Sequence, residues 1–212
     1  MNYFDLINKC LIELNYKACD NFSDLIKNDH KKIKNILNII NSEICSFDNW
    51  NFLLKKQELE LPRNTSEIQN TIEGRIHSLY IDKQKYEYDS DFENFFLNKE
   101  LSNTYSVFND KILFPMFQEN KTIEIFYYTN NFVKDSDDND KKKFENEDDY
   151  SIIPEPFVEP ILVYGTCMRL KGNTEYSKFS YWYNMYKEAL STLRAKTETN
   201  ALSSPTISMK RT

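Results

Sequence analysis

The sequence predicts an α+β protein that is mainly α, with a helical-bundle core, an inserted antiparallel β-module and an extended C-terminal tail. Near both ends of the 212-residue chain, apolar residues recur every three or four positions, as in amphipathic helices. Between residues 50 and 133 they recur every second position, as in strands with one buried face. Hydrophobic residues make up 40% of the chain and charged residues 28%, which is typical of globular proteins.

These patterns divide the chain into five segments. Residues 1–49 are predicted to form a helical pair, 50–133 the β-module, 134–151 an acidic loop, 152–196 a helical hairpin that completes the core, and 197–212 the tail. In the helical pair, the first apolar stripe consists of Phe4, Ile7, Leu11 and Leu14. A second helix should begin near Asn28 or Asp29, since both residue types cap helices, and end near Ser46.

The β-module is expected to contain short strands and one short helix. Strands are predicted at 57–61, where Pro62 ends the alternation, and at 76–81, 112–114 and 122–128. The turn at 118–121 should join the last two strands as a hairpin. A short helix is predicted at 91–98, where Asp91 can act as its cap.

The acidic loop is predicted to be solvated, and either poorly packed or ordered only by a neighbouring protein. Eight carboxylates and only three lysines lie between residues 135 and 149, and like charges repel one another while burying little apolar surface. The candidate residues of this loop are Asp135, Asp137, Asp138 and Asp140. A calcium loop is the alternative, but the run lacks the glycine and the final glutamate of an EF-hand.

The C-terminal hairpin is expected to begin around Pro160, at a first-turn position, and its first helix should end at Gly172. Gly165 in the middle of that helix costs about 1 kcal/mol relative to Ala, which a close helix crossing would explain. Asn173 and Thr174 should cap the last helix, and from Thr197 onward the helical period is lost.

Composition excludes several kinds of chemistry. Three scattered glycines cannot form a dinucleotide-binding or P-loop motif, and two histidines cannot form a multi-histidine metal site. The four cysteines form no C-x-x-C pair and are expected to be reduced. No apolar stretch approaches the roughly 18 residues of a membrane span, and the N-terminus lacks the basic region of a signal peptide. We therefore expect no enzymatic activity, no cofactor, no metal and no membrane partner.

The last helix carries the candidate interface residues, which are Tyr181, Trp182, Tyr183 and Tyr186. Aromatic residues next to Lys178 and Lys187 could stack on single-stranded nucleic acid. The sequence pI of about 5.1 argues against an electrostatic nucleic-acid binder. Because Tyr and Trp are enriched in protein interfaces, contact with a protein partner or a neighbouring subunit is the favoured interpretation.

Three stretches occur in an order that resembles a known family. The first is the helical pair running into Trp50-Asn51-Phe52 and a strand that ends at Leu61-Pro62. The second is YSVFNDKILFP at 105–115, followed by TIEIFYY at 122–128. The third is IIPEPF at 152–157, ILVYG at 161–165 and WYNMYKEALSTL at 182–193. Over most of residues 3–196, this order resembles the head-to-tail adaptors, or tail accessory factors, of tailed and especially short-tailed bacteriophages.

The resemblance implies a non-enzymatic structural protein of the virion, made in the host cytoplasm and located in the neck between capsid and tail. Adaptors of this kind form a closed homo-oligomeric ring, typically of twelve subunits, beneath the portal protein. They extend the channel through which genomic double-stranded DNA passes during ejection without sequence readout, and they are the platform for the next ring or tail protein. The acidic loop and the Asn- and Lys-rich composition depart from the family pattern.

Three other functions stay open at this point. The chain could be another ring or tube component of the tail, which would differ in whether it binds portal or tail first. From a different class, it could be a virion-associated enzyme that degrades the cell wall. A non-viral helical scaffold protein is a third alternative.

The C-terminal tail is predicted to dock onto the portal. Apolar anchors recur along it at short intervals and two basic residues follow, so the predicted docking residues are Leu202, Pro205, Ile207, Met209, Lys210 and Arg211. The resemblance favours docking, because the C-terminal ends of these adaptors tend to reach the portal.

Overall fold

A computed structural model describes residues 1–97, 103–172 and 177–201. The described residues form five α-helices: α1 (Tyr3–Glu13), α2 (Asn28–Phe47), α3 (Glu93–Phe96), α4 (Val158–Lys171) and α5 (Phe179–Ala201). They also form ten strands: β1 (Leu54–Leu61), β2 (Glu67–Gln69), β3 (Gly74–Ile81), β4 (Gln84–Tyr88), β5 (Thr104–Phe108), β6 (Lys111–Leu113), β7 (Lys121–Thr129), β8 (Val133–Lys134), β9 (Asp140–Lys141) and β10 (Tyr150–Ser151).

The prediction of a mainly α protein with a helical-bundle core is wrong. The structure is α+β, with 39% helix and 26% strand, and its largest element is a curled sheet of seven strands. Several of these strands are short or rich in charged residues, such as β4 with the sequence QKYEY, so alternation does not reveal them. The described residues divide into two compact units, one containing Met1–Phe52 and the chain from Asn131 onward, the other Leu53–Asn130.

Helix α4 lies at the centre of the first unit. It packs against α1, α2 and α5, and residues 161–167 are all buried, which explains why its sequence is apolar on every side. A Cβ atom added at Gly165 would lie 3.2 Å from the Tyr186 ring and 3.3 Å from Ile40 Cδ1. The close helix crossing predicted from Gly165 is therefore confirmed, as is the helix end at Gly172, whose φ of +27° suits glycine.

The prediction of a poorly packed acidic loop is also wrong. Strand β8 pairs with β9 and β10 in a small antiparallel sheet that spans this segment. Phe144 is buried, and its ring stacks on Tyr3 of α1 with 4.7 Å between ring centroids. Asn38 of α2 closes the contact, since its Oδ1 accepts the Phe144 amide at 2.8 Å and its Nδ2 donates to the Phe144 carbonyl at 3.2 Å. The two asparagine–backbone bonds and the stacked ring hold the segment on α1 and α2.

The second unit is built on the curled sheet, in the order β1-β7-β3-β4-β5-β6-β2. All neighbouring strands are antiparallel except β4 and β5. One face encloses a core that includes Leu61, Leu79, Ile112, Phe114, Ile123 and Ile125. Alternation along β7 predicts this face correctly, because Ile123 and Ile125 are buried while Glu124 between them is only partly so.

Two details of the predicted β-module are wrong. The strands at 112–114 and 122–128 do not form a hairpin, because β6 pairs with β5 and β2 whereas β7 pairs with β1 and β3. The module is not wholly antiparallel, since β4 and β5, which are joined by the connection that contains α3, run parallel to each other.

Helix α5 continues through Ala201, so the prediction of an extended chain from Thr197 is wrong for residues 197–201. The Thr197 hydroxyl donates to the Leu193 carbonyl at 2.7 Å, four residues earlier, as expected for a threonine within a helix. The tail residues Leu202, Pro205, Ile207, Met209, Lys210 and Arg211 lie outside the described residues.

Candidate protein interface

The four candidate aromatic residues of α5 separate into buried and exposed pairs. Trp182 is fully buried, and its indole Nε1 donates to Glu13 Oε2 at 2.9 Å, so it anchors α5 to α1 and is not available to a partner. Tyr186 is half-buried against Gly165. Tyr181 and Tyr183 are 50% and 46% exposed, on either side of Trp182. Of the four candidates, Tyr181 and Tyr183 are therefore the most accessible to a partner, Tyr186 is partly accessible, and Trp182 is enclosed.

The environment of Tyr181 holds its ring in a defined position. Its hydroxyl lies 3.2 Å from the hydroxyl of Tyr164 on α4, and the two rings pack edge to face with 5.5 Å between centroids. Burial, and secondarily this hydrogen bond, raise the pKa of Tyr164 well above its usual value. The Tyr164 phenol is therefore neutral at physiological pH, and its contact with Tyr181 holds the Tyr181 ring in place at the surface.

The end of α1 lies beside the start of α5 and adds apolar surface there. Lys178 Nζ donates to the Glu13 carbonyl at 2.9 Å and to Asn15 Oδ1 at 3.3 Å. Next to this junction, Ile12 and Tyr16 are 57% and 43% exposed. We use the name α1–α5 surface for the four exposed side chains Ile12, Tyr16, Tyr181 and Tyr183; Tyr181 and Tyr183 are two positions apart and therefore lie on opposite flanks of α5. Sequence periodicity missed Ile12 and Tyr16, because neither belongs to the predicted apolar stripe of α1.

A groove of about 310 Å³ lies between α2, α4 and α5. Ile40, Met168, Phe179 and Tyr186 give it an apolar lining. At its edge, the Arg169 guanidinium pairs with Glu43 through two hydrogen bonds of 3.1 and 2.7 Å. Because Arg169 and Glu43 neutralise each other, the groove presents mainly apolar side chains to a partner.

The carboxylates of the acidic segment make hydrogen bonds within the segment and form no recognisable metal site. Asp135 accepts from the backbone amides of Asp137 and Asn139, both at 2.9 Å, and Asp138 bonds to Tyr150 and Lys134. Asp140 lies in β9. Among residues 1–97, 103–172 and 177–201, no group of three or more His, Cys, Asp or Glu side chains could hold a metal ion. The hydrogen bonds instead explain the lowered pKa values of Asp135 and Asp138.

The remaining reactive residue types occupy ordinary structural positions. Cys10, Cys45 and Cys167 are free and buried, and burial raises the pKa of Cys10 and of Cys45, which keeps both thiols protonated. His30 is buried at the start of α2. His77 is exposed on β3, where its ring packs edge-on against Tyr128. No helix within the described ranges is long and apolar enough to cross a bilayer.

A comparison with models of known protein families finds no match for the chain, and a comparison with curated proteins finds no similar sequence.

Proposed function

We propose that this chain is a structural protein of the bacteriophage neck: a head-to-tail adaptor that forms a ring beneath the portal, extends the DNA channel and is the platform for the next ring or tail protein. The observation that carries the proposal is the α1–α5 surface, on which Tyr181 and Tyr183 flank the buried Trp182. The order of sequence motifs resembles that of the adaptor family, and for this reason we assign the surface to contacts within a ring.

Exposed aromatic rings that are held in place suit permanent protein contact. Tyr and Trp contribute large contact areas and lose little conformational entropy on binding, which is why they are enriched in interfaces. Tyr181 is already ordered by its hydroxyl contact with Tyr164, so its immobilisation in an interface costs less than that of a free side chain.

A ring subunit needs more than one contact surface. Each subunit of a closed ring meets its two neighbours through different patches, and an adaptor must also meet a portal and a tail protein. Exposed apolar side chains are present in both units of this chain, for example Phe47 and Ile26 in the first and Met116 in the second. Apolar surface is thus available on each unit for separate neighbours.

The charge of the chain is consistent with a DNA channel. The formal net charge is −6, and affinity for DNA depends on neutralising phosphates with Lys and Arg. A channel wall that held the genome tightly would oppose ejection. The adaptor is therefore proposed to let double-stranded DNA pass without reading its sequence.

The proposal is tested by co-sedimentation of the purified protein with portal rings. We expect the wild-type protein to sediment with the portal and to form rings visible by negative-stain electron microscopy. Tyr181→Asp should reduce ring formation at least tenfold, because it places a charge in an apolar contact. Asn184→Asp is the matched control, since Asn184 is exposed on the same helix, and it should assemble normally. Equal assembly by both variants would contradict the role of the α1–α5 surface.

Two further assays separate the alternative functions. Binding to a tail protein but not to the portal would identify another ring or tube component instead. Clearing of cell-wall material in a zymogram would identify a wall-degrading enzyme and would overturn the proposal.

A further inference from the structure

The second unit carries an apolar cluster apart from its core. Phe92 and Phe108 stack with 4.3 Å between ring centroids, and Phe96 packs edge-on against Phe108 at 5.9 Å. Tyr105 and Val107 of β5 face the core, so the alternation of the strand places Phe108 on the opposite face. Phe96 and the next residue, Leu97, remain 57% and 63% exposed. We call Phe92, Phe96, Leu97 and Phe108 the Phe92 cluster.

Exposed carboxylates flank this cluster in the sequence. Asp91 and Glu93 lie on either side of Phe92, and Asp110 follows Phe108 by two positions. Two lysines of the neighbouring strands pair with carboxylates within the unit, the first of them Lys85 with Glu87. Lys111 likewise pairs with Glu67. The Phe92 cluster is therefore an apolar surface with a negative border.

The C-terminal segment of the chain has the complementary chemistry. Residues 202–212 contain the apolar side chains Leu202, Ile207 and Met209, the bases Lys210 and Arg211, and no acidic side chain. A segment with apolar anchors next to two positive charges matches an apolar cluster bordered by carboxylates in both properties. Such pairing gives specificity through charge and affinity through burial of the anchors.

We propose that residues 202–212 of one copy bind the Phe92 cluster of a second copy. The inference rests on the proposed ring, and it supplies the kind of contact that a ring requires. The donating segment and the accepting cluster are different surfaces of each subunit, so the contact repeats head to tail and closes when the rotation allows. In this arrangement residues 202–212 bind a neighbouring copy of the chain, whereas the sequence-based prediction has them bind the portal.

Engineered cysteine pairs in the full chain test the inference. Cys19 is the only native cysteine that is not buried, so Cys19→Ser provides the background. In that background, Leu97→Cys combined with Met209→Cys should give, under mild oxidation at micromolar concentration, a ladder of disulfide-linked multimers on a non-reducing gel. Leu97→Cys alone and Met209→Cys alone should stop at dimers, because a single cysteine can link only two chains.

The position control replaces Leu97 by an exposed residue elsewhere in the second unit. Lys83→Cys combined with Met209→Cys should give at most about one third of the ladder, since Lys83 lies in the turn between β3 and β4. Lys210→Glu with Arg211→Glu should reduce the ladder of the Leu97 pair at least threefold and reduce it less at high salt. A ladder equal to that of the Lys83 control, or a cross-link confined within one chain, would overturn the inference.

Portal binding of the same variants separates this inference from the proposed function. A protein that sediments with the portal but forms no ladder would leave the adaptor function standing and remove the contact between copies. A protein that forms the ladder but does not bind the portal would leave the contact standing and remove the adaptor function.

Discussion

Asp149 should be the carboxylate on which the packing of the acidic segment depends. Its side chain is 1% exposed. Oδ2 accepts the backbone amides of Glu145 and Asn146 at 2.6 and 2.8 Å, and Lys141 Nζ lies 2.9 and 2.8 Å from its two oxygens. Asp149→Ala removes this carboxylate, so the Glu145 and Asn146 amides and the Lys141 ammonium group each lose it as a hydrogen-bond acceptor.

The expected loss follows from these partners. Removing one member of a buried ion pair costs about 3–5 kcal/mol, and each buried donor left unsatisfied accounts for about 1–3 kcal/mol of it. For a chain of this size, each kcal/mol lowers the melting temperature by about 2–4 °C, so we expect a decrease of roughly 10 °C for the first unit. Asp148→Ala is the matched control, because Asp148 is the exposed neighbour, and it should change stability by less than about 0.5 kcal/mol.

Urea unfolding monitored by tryptophan fluorescence measures the effect in the correct unit. The two tryptophans of the chain, Trp50 and Trp182, both lie in the first unit and are buried. Their fluorescence therefore reports the unfolding of that unit even if the second unit unfolds separately. Equal midpoints for Asp149→Ala and Asp148→Ala would show that the segment is not held by Asp149 and that the packing argument is wrong.

Three further changes test other parts of the fold. Phe144→Ala should destabilise the first unit by about 3–5 kcal/mol in the same urea assay, because it removes the ring stacked on Tyr3; a loss below 1 kcal/mol would contradict its buried position. Gly74→Ala should destabilise the second unit by about 3 kcal/mol in thermal unfolding followed by circular dichroism, since the new Cβ would lie 2.1 Å from the Tyr128 carbonyl oxygen; an unchanged transition would refute that contact. Burial raises the pKa of Tyr105 to about 12 from 10.0. The stabilisation that the neutral phenol contributes is therefore complete below pH 10 and is lost as the pH rises through 12. Subtracting the tyrosinate absorbance titration of Tyr105→Phe from that of the wild type should give a midpoint near 12, and a midpoint near 10 would contradict this.

The helices could be predicted from the sequence because their signals are local. In α2 the apolar residues recur every three or four positions, and Ile33, Leu37, Ile40 and Ile44 are buried. This period and the stop at Gly172 depend on residues within one or two turns, and both are present in the structure. Even Gly165 was informative, since a glycine in the middle of an apolar helix indicates a close neighbour, although not that the neighbours are Tyr186 and Ile40.

The sheet and the acidic segment could not be predicted in the same way. Which strands pair depends on contacts between distant residues, so proximity in sequence suggested a hairpin of β6 and β7 that does not exist. In the acidic segment, the number of charges concealed one buried carboxylate, Asp149, and one buried ring, Phe144. The relevant signals were Phe144, alone among polar residues, and two asparagines within the apolar period of α2. The Asn38 amide donates to the Phe144 carbonyl, and Asn41 Oδ1 accepts from the Ser151 hydroxyl at the end of this segment.

The candidate interface was predicted only in part. An aromatic run on a helix has one buried side and two flanks, and the sequence does not say which ring lies on which side. The structure assigns the buried side to Trp182 through its bond to Glu13, and leaves Tyr181 and Tyr183 on the flanks.

A cryo-electron microscopy reconstruction of the virion neck tests the central claim most directly. We expect density for this chain as a closed ring beneath the portal, around the DNA channel, with Tyr181 and Tyr183 in contact with a neighbouring protein. Density for the chain at another place in the particle, or a neck that is complete without it, would contradict the adaptor function.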